Sequence, residues 1–336
     1  MKKGKHPPAA GARVVAIGGG TGLSMLLRGM KHYLASRRPE ISDLAAIVTV
    51  TDDGGSSGRL RSEYRVLPPG DIRNCMVALS QDEALLGRLF QYRFTAGRGL
   101  RGHSFGNLFL TALTHVTGDF AEAVRVSSEV LAIRGRIFPA TLGNVTLEAV
   151  MKDGKVVAGE THIVKSGKRI RRLRLRPRLV HPLPEVLEAI ARANLILVGP
   201  GSLYTSVLPN LLVSGVTEAI ESSSATKVYI ANLMTQPGET EGFSLSDHVR
   251  VIYEHTRRKL FDWVVASKQD VSQEVARRYR AQKAEPVRVD VKELQALGMR
   301  CMLDDLLEEH GVVRHDSARL AQLLIEEFVA PQLAHD

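Results

Sequence analysis

Arg13-Val14-Val15-Ala16-Ile17-Gly18-Gly19-Gly20-Thr21-Gly22 decides the fold class. A β-branched apolar run of strand length enters four glycines in five positions. Leu23, Leu26, Leu27 and Met30 then recur at helical spacing, so the chain opens strand, loop, helix. The same strand-then-polar-loop pattern returns three times. Leu44–Val50 runs into Thr51-Asp52-Asp53-Gly54-Gly55-Ser56-Ser57-Gly58, which reads as a loop with little steric cover. Asn194–Val198 runs into Gly199-Pro200-Gly201-Ser202-Leu203-Tyr204-Thr205-Ser206. Lys227–Ala231 runs into Asn232-Leu233-Met234-Thr235-Gln236-Pro237-Gly238-Glu239-Thr240. Helical patterns lie between them, with further helices over Val186–Ala193, Ser246–Thr256 and Ser317–Val329 and a strand at Trp263–Ala266. Alternation of this kind predicts an α/β fold with a mostly parallel sheet.

The stretch Thr146–Arg178 changes character. Asp153-Gly154 between apolar runs signals a hairpin. Arg172, Arg174 and Arg176 alternate with Leu173 and Leu175, which is strand period with one basic face. A small antiparallel insert is expected here, with the arginines on a solvated edge strand blunted by charge.

The 336 residues allow two domains at roughly 150 residues each, or one large α/β domain. Apolar residues at 44% and charged residues at 24% exclude a disordered or collagen-like chain. No apolar run is long enough to span a bilayer. Two cysteines, Cys75 and Cys301, are too few for a disulfide framework and too isolated for a zinc site, and they read as reduced thiols of a cytoplasmic protein. Residues 1–12 read as a flexible basic arm, not as a secretory signal. The net charge of +9 points to anionic partners. Aromatic residues do not interleave with the basic clusters and no nucleic-acid motif is present, so nucleic acid is not expected among them.

In an open parallel sheet, ligands bind beyond the carboxyl ends of the strands, so the four loops can converge on one crevice. Gly19, Gly20, Thr21 and Gly22 offer backbone amides and a helix N-terminus to an anion. The loop is neither a dinucleotide fingerprint, which would need glycine where Leu23 stands, nor a Walker loop. Asp52 and Asp53 could hold Mg²⁺, accept sugar hydroxyls or cap a helix, with Ser56 and Ser57 beside them. Gly199, Gly201, Ser202 and Ser206 make a nest for phosphate oxygens. Asn232, Thr235 and Gln236 could read a base or sugar edge. Asn107, in Gly102-His103-Ser104-Phe105-Gly106-Asn107, lies in a further polar string, as do Asp71 and Arg73 in Pro68–Asn74. Tyr279 could stack on a ligand or close the core. Arg314 could pair with an anion beside His315, Asp316 and a helix N-cap read at Ser317. Asp247-His248 reads as a structural pair.

The strings Gly18–Gly22, Thr51–Gly58, Pro68–Asn74, Gly102–Asn107, Gly199–Asn210 and Asn232–Thr240, in this order, resemble the YvcK branch of the CofD-like superfamily. The resemblance runs from about Arg13 to Val329. It implies a Rossmann-like three-layer α/β/α fold, a single domain over residues 13–330 with a β insert near 145–178. It also implies binding of a UDP-sugar such as UDP-N-acetylglucosamine and a regulatory role in cell shape and envelope synthesis during gluconeogenic growth. A homodimer and envelope-synthesis regulatory proteins as partners are expected on the same ground. The CofD branch consists of Mg²⁺-dependent 2-phospho-L-lactate transferases. The Gly18–Gly22 loop, Asp52-Asp53 and Gly199–Ser202 resemble both branches, so an enzyme acting on a nucleotide-activated substrate, with Asp52 or Asp53 catalytic, is the alternative. Tyr279 and Arg314 are carried over from the YvcK branch, where the C-terminal part closes on the nucleotide-sugar.

Overall fold

The computed structural model describes residues 11–34, 40–81 and 85–333. Strand β1 (Ala12–Gly18) pairs in parallel with β2 (Ile41–Val48), and β3 (Arg136–Pro139) adds to the outer side of β2. β4 (Thr146–Met151), β5 (Val156–Ala158) and β6 (Ile170–Arg176) form a separate antiparallel sheet in the order β5-β4-β6. The chain then returns to the other side of β1 with β7 (Leu195–Val198), β8 (Thr226–Ile230), β9 (Trp263–Ser267) and β10 (Arg300–Asp304). A short hairpin, β11 (Leu307–Glu309) with β12 (Val313–His315), follows. The seven-stranded sheet thus runs β10-β9-β8-β7-β1-β2-β3, parallel throughout. With helices flanking it, this is the expected Rossmann-like α/β fold.

Burial explains why these runs read as continuous apolar stretches. Every residue of β7 is buried, as are Val14–Gly18 of β1 and Leu44–Val48 of β2. A parallel sheet covered on both faces needs that pattern. The helix Gly20–Met30 buries Leu23, Leu26, Leu27 and Met30 and packs beside helices Gly70–Leu79 and Ser317–Leu324. Gly29 makes the second contact possible, because a Cβ there would lie 2.0 Å from the Ser317 carbonyl oxygen.

The insert falls where the arginine alternation placed it. β6 is an edge strand, with Glu148 of β4 opposite Arg174. The Leu173 amide donates to Nε2 of the buried His255 at 2.9 Å, which ties this edge to the helix Leu245–Thr256. Several elements differ from expectation. Residues expected in the open loop Thr51–Gly58 enter the helix Gly55–Tyr64 and bury Ser56 and Ser57. β3, β10 and the β11–β12 hairpin were not expected as strands. The N-cap of the last long helix is Asp316, which accepts from the Ala318 and Arg319 amides, so Ser317 is its first helical residue. Residues 1–10 of the expected arm lie outside the described residues, and Ala12 already belongs to β1.

Candidate functional site

The sheet changes direction at β1. From it the chain first builds outward through β2 and β3, then crosses to β7 and builds the other way. Such a switch point leaves a crevice at the carboxyl ends of the two central strands. The loops after β1 and β7 meet there, and a cavity of about 430 Å³ opens between them.

Its floor is the glycine loop. Gly19 is the N-cap of the first helix and has no side chain to cap it; Asp71 takes the Gly20 amide, which leaves the next backbone N–H groups and the helix's positive end to the cavity. Gly20 has φ +64°, a conformation that favours glycine. Side chains are excluded by contact as well. A Cβ on Gly19 would lie 2.6 Å from Thr49 Cγ2 and 2.7 Å from Asp71 Oδ2, and one on Gly22 would lie 2.4 Å from the Pro200 carbonyl oxygen. The last contact brings the two loops together backbone to backbone.

The second wall follows β7. The Gly199 amide donates to the Ile17 carbonyl at 2.9 Å, and its φ of +89° turns the chain away from the sheet. The Gly201 amide donates to Asn232 Oδ1 at 3.1 Å, and Gln236 Nε2 donates to Ser202 Oγ at 2.7 Å. The loop after β8 is therefore latched to the loop after β7. Ser206 sits between the two glycine loops, with its Cβ 3.1 Å from where a Gly201 Cβ would stand. Asn210 Nδ2 donates to the Gly18 and Ser206 carbonyls, holding both loops from beneath.

The far side is built by the C-terminal part. Tyr279 and Val312–His315 line it. The Val313 amide donates to the Tyr279 hydroxyl at 2.9 Å, so Tyr279 positions the β11–β12 hairpin as well as facing the cavity. Arg314 is exposed on β12 at the rim. His315 next to it is buried, and burial pushes its pKa down to about 4, leaving it neutral.

Twelve predicted residues line this cavity: Gly19, Gly20, Thr21, Gly22, Gly201, Ser202, Ser206, Asn232, Thr235, Gln236, Tyr279 and Arg314. Thr235 is occupied by structure, since its Oγ1 accepts from the Glu285 amide and its own amide donates to the Glu285 carbonyl. Gly199 shapes the turn without lining the cavity. Met25, Gln282, Ala284, Val313 and His315 line it and were not predicted. Met25 could have been found, lying one helical turn beyond Gly22.

Asp52, Asp53, Ser56, Ser57 and Asn107 do not line it. They belong to a polar network on the other side of Gly19. Asp53 Oδ1 accepts from the Thr161 amide at 2.9 Å and from Thr161 Oγ1 at 2.7 Å, so it caps a helix of the insert, not the helix that follows it. Asp52 Oδ1 accepts from the Gly54 amide at 2.8 Å. Asn107 Nδ2 donates to Ser56 Oγ at 3.2 Å, and Ser56 Oγ contacts His103 Nδ1 at 3.0 Å. Asp71 joins the two regions. It is partly buried, the Gly20 backbone hydrogen-bonds its carboxyl, and desolvation together with Asp52 raises its pKa to about 6. Glu160 goes to about 9 through burial and the nearby Asp52, Asp71 and Asp53. Among the described residues no three His, Cys, Asp or Glu side chains form a group that could hold a metal ion. Mg²⁺ needs fewer, because it binds through one or two carboxylates and completes its shell with water and phosphate oxygens. Asp52 and Asp53 each accept these hydrogen bonds on Oδ1 alone, so Oδ2 of either fits that requirement. Asp247 and His248 are structural, as expected: Asp247 completes a capping box with Ser244, and His248 Nδ1 meets the Ser244 carbonyl at 2.8 Å.

The family described as 2-phospho-L-lactate transferase CofD matches residues 14–307. The gluconeogenesis factor of Bacillus subtilis is 48% identical over 315 residues, covering 94% of this chain and 97% of that protein. That of Halalkalibacterium halodurans is 50% identical over 314 residues, covering 93% and 95%. The chain belongs to the CofD family, in its YvcK or gluconeogenesis-factor branch. A crystal structure of a UPF0052-family protein from Bacillus halodurans superposes with a TM-score of 0.89 at 48% identity, covering 94% of this chain and 99% of that one. In this CofD-family chain, the match to the transferase family ends at residue 307, before Val312–His315 of the cavity wall. The matches to the gluconeogenesis factors cover over nine-tenths of the chain.

Proposed function

We propose that the cavity binds a nucleotide-sugar, in the first place UDP-N-acetylglucosamine, and that the chain acts as a regulatory binding protein. The carrying observation is the convergence of two glycine loops and a helix N-terminus at the switch point of the sheet, with an arginine at the rim. A diphosphate suits that floor, because backbone N–H groups and a helix dipole bind anions without a resident cation. The Thr21, Gly22 and Ser202 amides hold the diphosphate, the Gly20 and Gly201 amides being engaged by Asp71 and Asn232. Asn232 and Gln236 contact the base or ribose, and Arg314 closes from the rim by a charge-assisted hydrogen bond. A cavity of about 430 Å³ is within the range of small-molecule sites.

The names of the relatives support a role in growth on gluconeogenic carbon. Regulation of cell shape and envelope synthesis, through protein partners and a homodimer, belongs to the same proposal. The transferase reading keeps one specific support, the family match over residues 14–307. In that reading the same amides stabilise charge on a leaving nucleotide, and Asp52 contributes to holding Mg²⁺ at the diphosphate.

Calorimetry with UDP-N-acetylglucosamine, UDP-glucose and GDP, with and without Mg²⁺, tests the proposal. Tight binding of a UDP-sugar recovered unchanged is the expected result. Preference for GDP, or recovery of a cleaved ligand, favours the transferase reading. Absence of binding to all three overturns both.

A further inference from the structure

A second surface lies apart from the cavity and uses none of its residues. Between Leu85 and His103 the chain has four arginines, Arg88, Arg93, Arg98 and Arg101, and no Asp or Glu. The same stretch carries large apolar side chains in water: Leu85 is 65% exposed, Leu89 41%, Tyr92 54% and Leu100 47%. Scattered exposed leucines are ordinary on any surface, but several within one short basic stretch are not.

The shape is defined by hydrogen bonds. The Phe94 amide donates to the His103 carbonyl at 2.9 Å and the Gly102 amide to the Phe94 carbonyl at 2.8 Å. The His103 amide donates to the Leu100 carbonyl at 2.9 Å, closing the turn. Arg93 Nη1 donates to the Gly102 carbonyl at 2.6 Å, and Arg59 Nη2 to the Arg101 carbonyl at 2.8 Å. The Tyr92 and Phe94 rings meet edge to face at 5.2 Å across the base. The result is a stapled loop whose tip is Arg98-Gly99-Leu100-Arg101, every residue exposed. Its order is held from below, so presenting the tip costs little additional entropy.

We infer that this loop docks the protein peripherally on an anionic phospholipid surface, Leu100 at the tip entering the headgroup region while Arg98 and Arg101 pair with lipid phosphates. Charge complementarity selects the occupant. An acid-free basic tip is attracted to an anionic leaflet, and apolar tip residues add what a nucleic-acid backbone would not use. The inference does not depend on what fills the cavity.

The test is flotation of the full-length protein with vesicles of phosphatidylcholine alone and of phosphatidylcholine mixed with phosphatidylglycerol. Binding is expected only to the mixed vesicles and is expected to fall as salt rises. Each arginine near an anionic surface is worth about a fivefold factor in partitioning, so R98Q/R101Q should lower binding about 25-fold. Leu100→Ser should lower it further at unchanged charge. All three positions are exposed, so thermal unfolding of the same variants should match the parent and reports that they are folded. Equal binding to neutral vesicles, no binding to either, or variants that float like the parent would each overturn the inference. So would binding to single-stranded RNA, lost in R98Q/R101Q, without vesicle binding, since that assigns the loop to nucleic acid.

Discussion

Replacing Gly22 with alanine tests the architecture of the cavity at its narrowest point. The new Cβ would stand 2.4 Å from the Pro200 carbonyl oxygen, 2.8 Å from the Pro200 carbonyl carbon and 3.2 Å from the Gly201 nitrogen, all backbone atoms. Ordinary contact begins at 3.4 Å, so the first helix and the loop after β7 must separate by roughly 1 Å. No rotamer change can absorb this. Overpacking of this kind costs about 1–3 kcal/mol, which for a chain of this size lowers Tm by about 1.5–4 °C. The effect on binding is a separate quantity. Hydrogen bonds to a charged group are worth about 1.5–3 kcal/mol each, and a 1 Å separation removes at least one amide from a diphosphate that spans both loops. G22A should therefore raise Kd for the UDP-sugar by about 10- to 100-fold. Gly99→Ala is the control, because nothing lies within 4 Å of its Cβ position. Thermal unfolding and calorimetry on the three proteins give both numbers. A G22A protein with the parent's Tm and affinity would refute the claim that these two loops jointly form the floor.

Asp53→Asn should lower stability by about 1–2 kcal/mol, through loss of the charged acceptor for Thr161, and leave UDP-sugar affinity within twofold; a large loss of affinity in calorimetry would return Asp53 to the site. Arg314→Gln should weaken binding about 5- to 10-fold and reduce its salt dependence without moving Tm, since the side chain is exposed at the rim; unchanged affinity would remove it from the site. Glu239 is buried, with its pKa raised to about 7 by burial, while Oε2 has no hydrogen-bond partner. A carboxyl raised on folding stabilises fully below its unfolded pKa, here near 4.5, and loses that contribution as pH rises to about 7. Stability should thus fall across that window by at most about 3 kcal/mol, and Glu239→Gln should flatten the fall in urea titrations between pH 5 and 7.5.

The strands and the loops after them were legible because their signals are local. Val14–Ile17, Leu195–Val198 and Val228–Ile230 are apolar on both faces, which only a covered parallel strand requires, and each ends where small residues take over. The convergence of the loops followed from one topological rule. What was not legible depended on partners distant in sequence. Ser56 and Ser57 sit in a helix with almost no apolar face, so periodicity is silent there, and their burial comes from Asn107, some 50 residues on. Asp53 reads as a ligand by composition, yet one of its two oxygens, Oδ1, is spent on Thr161, 108 residues away. The β11–β12 hairpin is two three-residue strands with charged residues in each, below any threshold for a strand signal. It is placed by bonds to residues some 30 or more positions earlier: Val313 to Tyr279, Ser272 to Glu309 and Arg278 to Gly311. Arg314 and Tyr279 were nonetheless found, through resemblance and not through pattern.

The placement of the acidic groups bears directly on the choice between binder and transferase. Asp52, Asp71 and Glu160 crowd behind the glycine loop, and their mutual repulsion and burial raise Asp71 to about 6 and Glu160 to about 9. At neutral pH Glu160 holds its proton, so this side carries less negative charge than its residues suggest and does not strongly oppose an incoming diphosphate. A divalent cation would reverse that state, releasing the proton and drawing the phosphates toward Asp52. The two readings therefore predict opposite calorimetric signatures. A binding protein that relies on amides and Arg314 should take up the UDP-sugar with the same Kd with or without Mg²⁺, and Asp52→Asn should leave that Kd nearly unchanged. A metal-assisted site should show Mg²⁺-dependent affinity, proton release on binding when buffers of different ionisation enthalpy are compared, and loss of both in Asp52→Asn. The second outcome would place the chemistry behind Gly19 and overturn the amide-only account of the cavity.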